Sequence, residues 1–221
     1  MSTTTLVTGA NRGIGLELTR QCQARGDRVI AVCRKTSAAL DALKVEVIQG
    51  IDVGTKDAGQ KLARALEGRK IDLLINNAGI LKSDRLESLS FEAVQEQIEV
   101  NAVGPLRITA ALRENLADGG KIALITSRMG SIADNSSGGH YGYRMSKAAL
   151  NAAGVSLARD LAPRKITVAL LHPGMVKTDM TGSHGVVEPE VAVKGLLARI
   201  AELTLGNSGG FWHMNGEMLP W

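Results

Sequence analysis

Aromatic side chains are scarce in this chain, with two phenylalanines, two tryptophans and two tyrosines making up 3% of 221 residues. That scarcity excludes a core of stacked rings, so the interior must be packed from aliphatic side chains and close helix contacts. Cysteine is equally rare. Cys22 and Cys33 are the two present, too few for a disulfide framework and a poor metal site, and they read as small buried hydrophobes in a reducing compartment. His140, His172 and His184 have no ligand spacing, so no metal is expected. No apolar run reaches 18 residues and no basic stretch leads into an apolar one at the start, which argues against a spanning helix or secretory leader. A cytoplasmic protein is expected. No Pro- or Ser-rich linker divides the sequence, so residues 1–221 read as one domain. The 26 basic and 22 acidic residues leave a net charge of +4, too small and too scattered for a nucleic-acid surface. Mild attraction for phosphate-bearing ligands is the better reading.

What the chain does have is alternation. Strand-like runs are expected at residues 4–8, 28–33, 45–49, 71–76, 121–127, 166–172 and 211–214, with helices between them at 14–25, 37–43, 57–67, 91–116, 141–161 and 189–205. Such alternation is what a parallel sheet covered on both faces requires. Right-handed crossovers then give an α/β doubly wound parallel sheet of seven strands, the Rossmann arrangement, in the order 3-2-1-4-5-6-7. Ligands in such a sheet bind at the carboxyl edge, where the winding reverses. Polar or glycine punctuation does follow one strand after another at that edge: the glycine loop, Arg34, Asp52, Asn77, Ser127 and Pro173-Gly174.

The first strand runs into Gly9-Ala-Asn-Arg-Gly13-Ile-Gly15 and then an amphipathic stretch. Three glycines there allow a tight bend, close approach to a pyrophosphate and close packing of helix on strand, while free N–H groups at the helix start attract the anion. Farther on, Tyr143 and Lys147 stand four apart, one turn on one helix face. A cation so placed favours the ionised phenol, whose free pKa is about 10. Tyr141 has Met145 at the same offset and lacks the lysine.

Together Thr8-Gly9-xxx-Gly13-x-Gly15, Asn76-Asn77-Ala78-Gly79, Asn101, Ser127, Tyr143-xxx-Lys147 and Pro173-Gly174 resemble, in order, the motifs of the short-chain dehydrogenase/reductases. The short length, the Tyr-Arg-Met-Ser-Lys run and the final residues 215–221 are most similar to the C-factor-like carbonyl reductases. The resemblance implies an NAD(P)-dependent oxidoreductase that interconverts a carbonyl, aldehyde or ketone, and an alcohol. Tyr143 is then the general acid/base. Lys147 lowers its pKa and bonds the nicotinamide ribose, Ser127 holds the substrate oxygen, and Asn101 kinks its helix and holds a water behind Lys147. Ser131 competes with Ser127, lying 12 rather than 16 residues before Tyr143; the strand leading straight into Ser127 favours Ser127. Cofactor contacts are expected from Gly9, Asn11, Arg12, Gly13, Ile14 and Gly15, from Asp52 and Val53 at the adenine, and from Asn77, Ala78 and Gly79, with Asn76 on the ribose side. Pro173, Gly174, Val176 and Thr178 complete the nicotinamide end.

The second strand ends in Cys33-Arg34-Lys35 with no acid to bind a ribose 2′-hydroxyl, which favours NADPH over NAD, with Arg34 on the phosphate. Arg12 either adds to that or is a solvated loop residue. The short segment between Thr178 and Pro189 implies an open cleft for small or varied carbonyl compounds, with Met129, Met175 and Met180 as adaptable linings. Alanine-rich faces on the two long helices suit a homodimer, or a homotetramer. Two other classes stay open: a nucleotide-binding regulator, and a scaffold or nucleic-acid protein on an inherited fold.

Overall fold

A computed structural model describes residues 2–221, the Ser183 side chain excepted. Strand β1 (Thr4–Thr8) lies inside the sheet, paired in parallel with β2 (Arg28–Val32) on one side and β4 (Ile71–Asn76) on the other. β3 (Glu46–Ile48) extends the β2 side, while β5 (Leu116–Ile125), β6 (Thr167–His172) and β7 (Phe211–His213) extend the β4 side. Seven parallel strands result, in the order β3-β2-β1-β4-β5-β6-β7, the order expected from sequence.

Successive side chains on a strand point to opposite faces, and each inner strand feeds two cores. Leu6, Ile30, Leu74, Ile122 and Val168 pack on one face with α3 (Ala58–Leu66), α5 (Gly104–Ala111) and α6 (Tyr141–Asp160). Their neighbours Val7, Ala31, Ile75, Ala123 and Ala169 pack on the other with α1 (Gly13–Ala24), α2 (Ala38–Asp41) and α7 (Pro189–Ala201). Fully burying one such aliphatic side chain contributes about 1.5–3 kcal/mol. Scarce aromatics are offset by close approach: a Cβ on Gly154 of α6 would lie 2.7 Å from Leu170 and 2.8 Å from Leu124. No helix among the described residues is long and apolar enough to cross a membrane.

The expected continuous helix over 91–116 is broken. It consists of α4 (Phe91–Ile98), a π-helical turn over Glu99–Val103 and α5, and Leu116 already belongs to β5. Pro105 supplies the reason, since it has no N–H to give the carbonyl of Asn101. The turn widens so that Gly104 N–H reaches the Glu99 carbonyl instead. Helix α7 likewise stops at Ala201, short of Leu205.

Candidate active site

The glycine loop is fastened to the end of β4. Thr8 Oγ1 accepts from the N–H groups of Asn77 and Ala78 at 3.0 and 3.1 Å, and Asn77 Nδ2 donates to the Thr8 carbonyl at 3.0 Å. Gly9, at φ +67°, lies so near that a Cβ there would come within 2.8 Å of Ala78 Cα. Gly15 is tighter still, since its Cβ would meet the Gly9 carbonyl oxygen at 2.1 Å. Helix α1 therefore starts hard against the loop. No side chain among the described residues caps it, and its first turn carries no acid, so its leading N–H groups are available to an anion. Together with the cations described below, this donor set fits a dinucleotide phosphate.

From that loop a cleft of about 900 Å³ runs along the carboxyl edge of the sheet. Gly9, Asn11, Arg12, Gly13, Ile14 and Gly15 line its floor near β1, and Arg34, Asp52 and Val53 line the end beside β2 and β3. Asn77, Ala78 and Gly79 follow, then Ser127, Tyr143 and Lys147, with Pro173, Gly174, Val176 and Thr178 opposite. Thr178 faces the glycine loop, its Cγ2 lying 3.3 Å from where a Gly13 Cβ would be. Arg34 Nη1 stands 3.6 Å from Asp52 Oδ2. Arg12 instead reaches across the cleft to Asp179, at 3.1 Å.

Asn76 does not line the ribose side. Strand alternation turns it into the core, 2% exposed, where its Nδ2 donates to Thr109 Oγ1 at 3.2 Å.

Ser127 follows β5, where its Oγ accepts from Met129 N–H at 3.2 Å. Ser131 is committed elsewhere: its hydroxyl donates to the Trp221 carbonyl at 3.2 Å and accepts from Asp134 N–H. The tail that provides this contact also pairs Glu217 with Arg128 at 2.8 Å and stacks Trp221 on Phe211. The loop carrying Ser127 is thus clasped from outside.

Tyr143 and Lys147 project from the first turns of α6 and are almost wholly buried. The Lys147 Nζ lies 5.7 Å from the phenol ring centre and donates to the Ile125 carbonyl at 2.9 Å. Burial pushes the Tyr143 phenol up to about 12, against a hydrogen bond from Ser127 that favours the phenolate. Burial also pushes Lys147 down to about 8. Burial thus sets the net direction of the phenol opposite to the one expected from the lysine alone.

Asn101 is fully buried behind Gly79 and does not line the cleft. Its amide donates to the Ile80 carbonyl at 2.8 Å and to Ser146 Oγ at 3.0 Å, while its oxygen accepts from Ile80 N–H at 2.8 Å. The side chain splices the post-β4 loop to α6. Its backbone carbonyl is the group that Pro105 leaves without a helical donor.

Three contributors escaped the sequence reading. Asp84 caps α6 from a distant loop, its carboxylate accepting from the N–H groups of Tyr141 and Gly142 at 2.5 and 3.1 Å. His140, the residue at the helix start, sits at φ +51° and caps nothing. Asn151, one turn beyond Lys147, accepts from Thr126 Oγ1 at 2.7 Å and so ties the end of β5 to α6. His172 ends β6 in the cleft wall, 5.0 Å from the ring of His213, and burial with nearby positive groups holds it down to about 3. An Asn one turn after a candidate lysine was the visible signal for Asn151; for Asp84 there was none.

The sequence profile of the short chain dehydrogenase family matches residues 3–186. The chain is 42% identical over 99% of both lengths to 1-hydroxy-2-glutathionyl-2-methyl-3-butene dehydrogenase of Rhodococcus sp. (strain AD45). It is 42% identical to C-signal of Myxococcus xanthus over 68% of this chain and 93% of that protein. Its fold superposes on the NADPH-bound carbonyl reductase from chicken fatty liver with a TM-score of 0.90 at 29% identity, covering 100% of both chains. From β1 to the segment after β6, motif by motif and fold alike, the chain belongs to the short-chain dehydrogenase/reductase family of NAD(P)-dependent oxidoreductases.

Proposed function

We propose that the protein is an NADPH-dependent carbonyl reductase that converts an aldehyde or ketone to an alcohol, or runs the reverse reaction, with Tyr143 as general acid/base. The observation that carries this reading is the meeting of Ser127, Tyr143 and Lys147 on one wall of the cleft that begins at the uncapped helix α1. A dinucleotide held along the glycine loop would supply the hydride from its nicotinamide. Tyr143, holding its proton because burial raises its pKa, donates that proton to the carbonyl oxygen. Ser127 bonds the same oxygen and fixes its approach. Lys147, anchored on the Ile125 carbonyl, bonds the ribose and renews the proton, drawing on a water held at the freed carbonyl of Asn101. Arg34 favours a 2′-phosphate over a bare ribose. The Rhodococcus relative is named for an alcohol that bears glutathione, so glutathionyl alcohols and aldehydes belong in the substrate panel.

The chain acts as a single dinucleotide-binding domain in the cytoplasm, a setting that suits its two buried free cysteines. It pairs as a homodimer through α6, whose outer face exposes Tyr141, Met145, Ala149 and Ala152.

The test is NADPH oxidation with a panel of aldehydes and ketones. Tyr143→Phe should cut kcat by roughly 10²–10⁴-fold while NADPH still binds. Binding without oxidation across the panel would overturn the reading in favour of a nucleotide-sensing role.

A further inference from the structure

Arg144 follows Tyr143 directly on α6 and lines the same cleft. Its guanidinium is braced by neutral acceptors: Nε donates to the Gly139 carbonyl at 3.2 Å, and Nη2 donates to Ser137 Oγ at 2.9 Å and to the Gly138 carbonyl at 3.5 Å. Nη1 is shielded from water and donates to no group among the described residues.

The other cleft arginines are matched with carboxylates. Arg12 meets Asp179, Arg34 meets Asp52, and Arg128 lies between Asp134 and Glu217. Lys82 takes Glu96. Arg144 has no carboxylate partner among the described residues, so beside Lys147, which rests on the Ile125 carbonyl, a second positive charge stands uncompensated next to the phenol. Bracing the loop requires hydrogen bonds only, and neutral acceptors already supply them. It does not account for a half-buried charge without a counter-ion and an idle donor, a combination that costs free energy until an anion arrives.

We propose that Arg144 forms a carboxylate-binding subsite beside Tyr143, so that the enzyme selects carbonyl compounds that carry an acid group. The inference rests on the carbonyl-reductase reading above. Helix geometry turns the side chain at 144 about 100° from that at 143, so the carboxylate is set several bonds from the reacting carbonyl. Gly138, at φ +62° and with no atom within 4 Å of where its Cβ would be, is the point in the segment over the guanidinium with the greatest backbone freedom to make room for an anion. An arginine suits this task because its planar fork matches both carboxylate oxygens.

Matched aldehydes test it, 4-carboxybenzaldehyde against benzaldehyde. Wild-type enzyme should favour the acid by roughly tenfold in kcat/KM, the size of one charge-assisted contact. Arg144→Gln should bring that ratio to about one, and Arg144→Lys should keep part of it. A wild-type ratio at or below one overturns the proposal. So does an equal loss on both aldehydes in Arg144→Gln, the signature of a loop brace. Calorimetric titration of benzoate into the NADP⁺-loaded protein gives a readout without turnover. Roughly tenfold weaker binding in Arg144→Gln is expected, and equal affinities refute the subsite. If neither aldehyde is reduced, the carbonyl-reductase reading fails, and the benzoate titration still decides Arg144.

Discussion

Beside β1 the cleft is made of backbone: glycines at positive φ, an uncapped helix start, and charged side chains that reach in from an exposed rim. Beside β5 and α6 its wall is backed by buried polar side chains, Asp84, Asn101, Thr126, Asn151 and Lys147, bonded across elements far apart in sequence. A phosphate can be held by any well-placed row of N–H groups, so the first region specifies shape. Proton transfer needs particular atoms fixed at particular distances, so the second region specifies position, through hydrogen bonds that water cannot loosen.

Substitutions can separate the two modes. Gly15→Ala should strike hardest, since its Cβ would fall 2.1 Å from the Gly9 carbonyl oxygen. We expect a loss of about 3 kcal/mol in urea unfolding, together with NADPH binding. Unchanged binding would show that the loop tolerates a side chain after all.

Lys147→Met should do the opposite to stability while abolishing turnover. The folded lysine releases its proton at about 8 where the unfolded one keeps it to 10.5, so between those values the unfolded chain holds more protons and stability rises with pH. At pH 7 the wild type therefore carries the cost of a buried cation. The methionine variant should be more stable by on the order of 2 kcal/mol once the orphaned Ile125 carbonyl is counted, and the gap should close as pH climbs from about 8 to 10.5. A pH-independent gap would place the ammonium in water.

Asp84→Ala removes the distant cap of α6. Melting should show a loss of about 1 kcal/mol, and kcat should fall by roughly 10- to 100-fold with the KM for NADPH unmoved. Asp84→Asn should recover most of the activity. Arg34→Ser is expected to have the smallest effect, raising the KM for NADPH by roughly tenfold with little change for NADH, because Arg34 is an exposed contact.

These regions also differed in legibility. Glycine spacing and the Tyr143–Lys147 offset are local patterns, and the order of strands followed from alternation and handedness. Asn76 and Asn77 are neighbours with the same side chain, and only the strand's alternation decides that one enters the core and the other ties the glycine loop. Pro105 stood within the expected long helix and was a sufficient signal for its interruption. The reversed phenol shift depends on burial, and the Asp84 cap joins residues 57 positions apart, a pairing that no periodicity encodes.

The tail that clasps the Ser127 loop has a practical use. Trp221 stacks on Phe211, and Trp212 bridges to Met218 in the same tail. These are the chain's two tryptophans. Intrinsic emission therefore reports the seating of this tail, and a change in it on addition of a ligand that does not itself absorb in the near ultraviolet signals an event at the β7 edge.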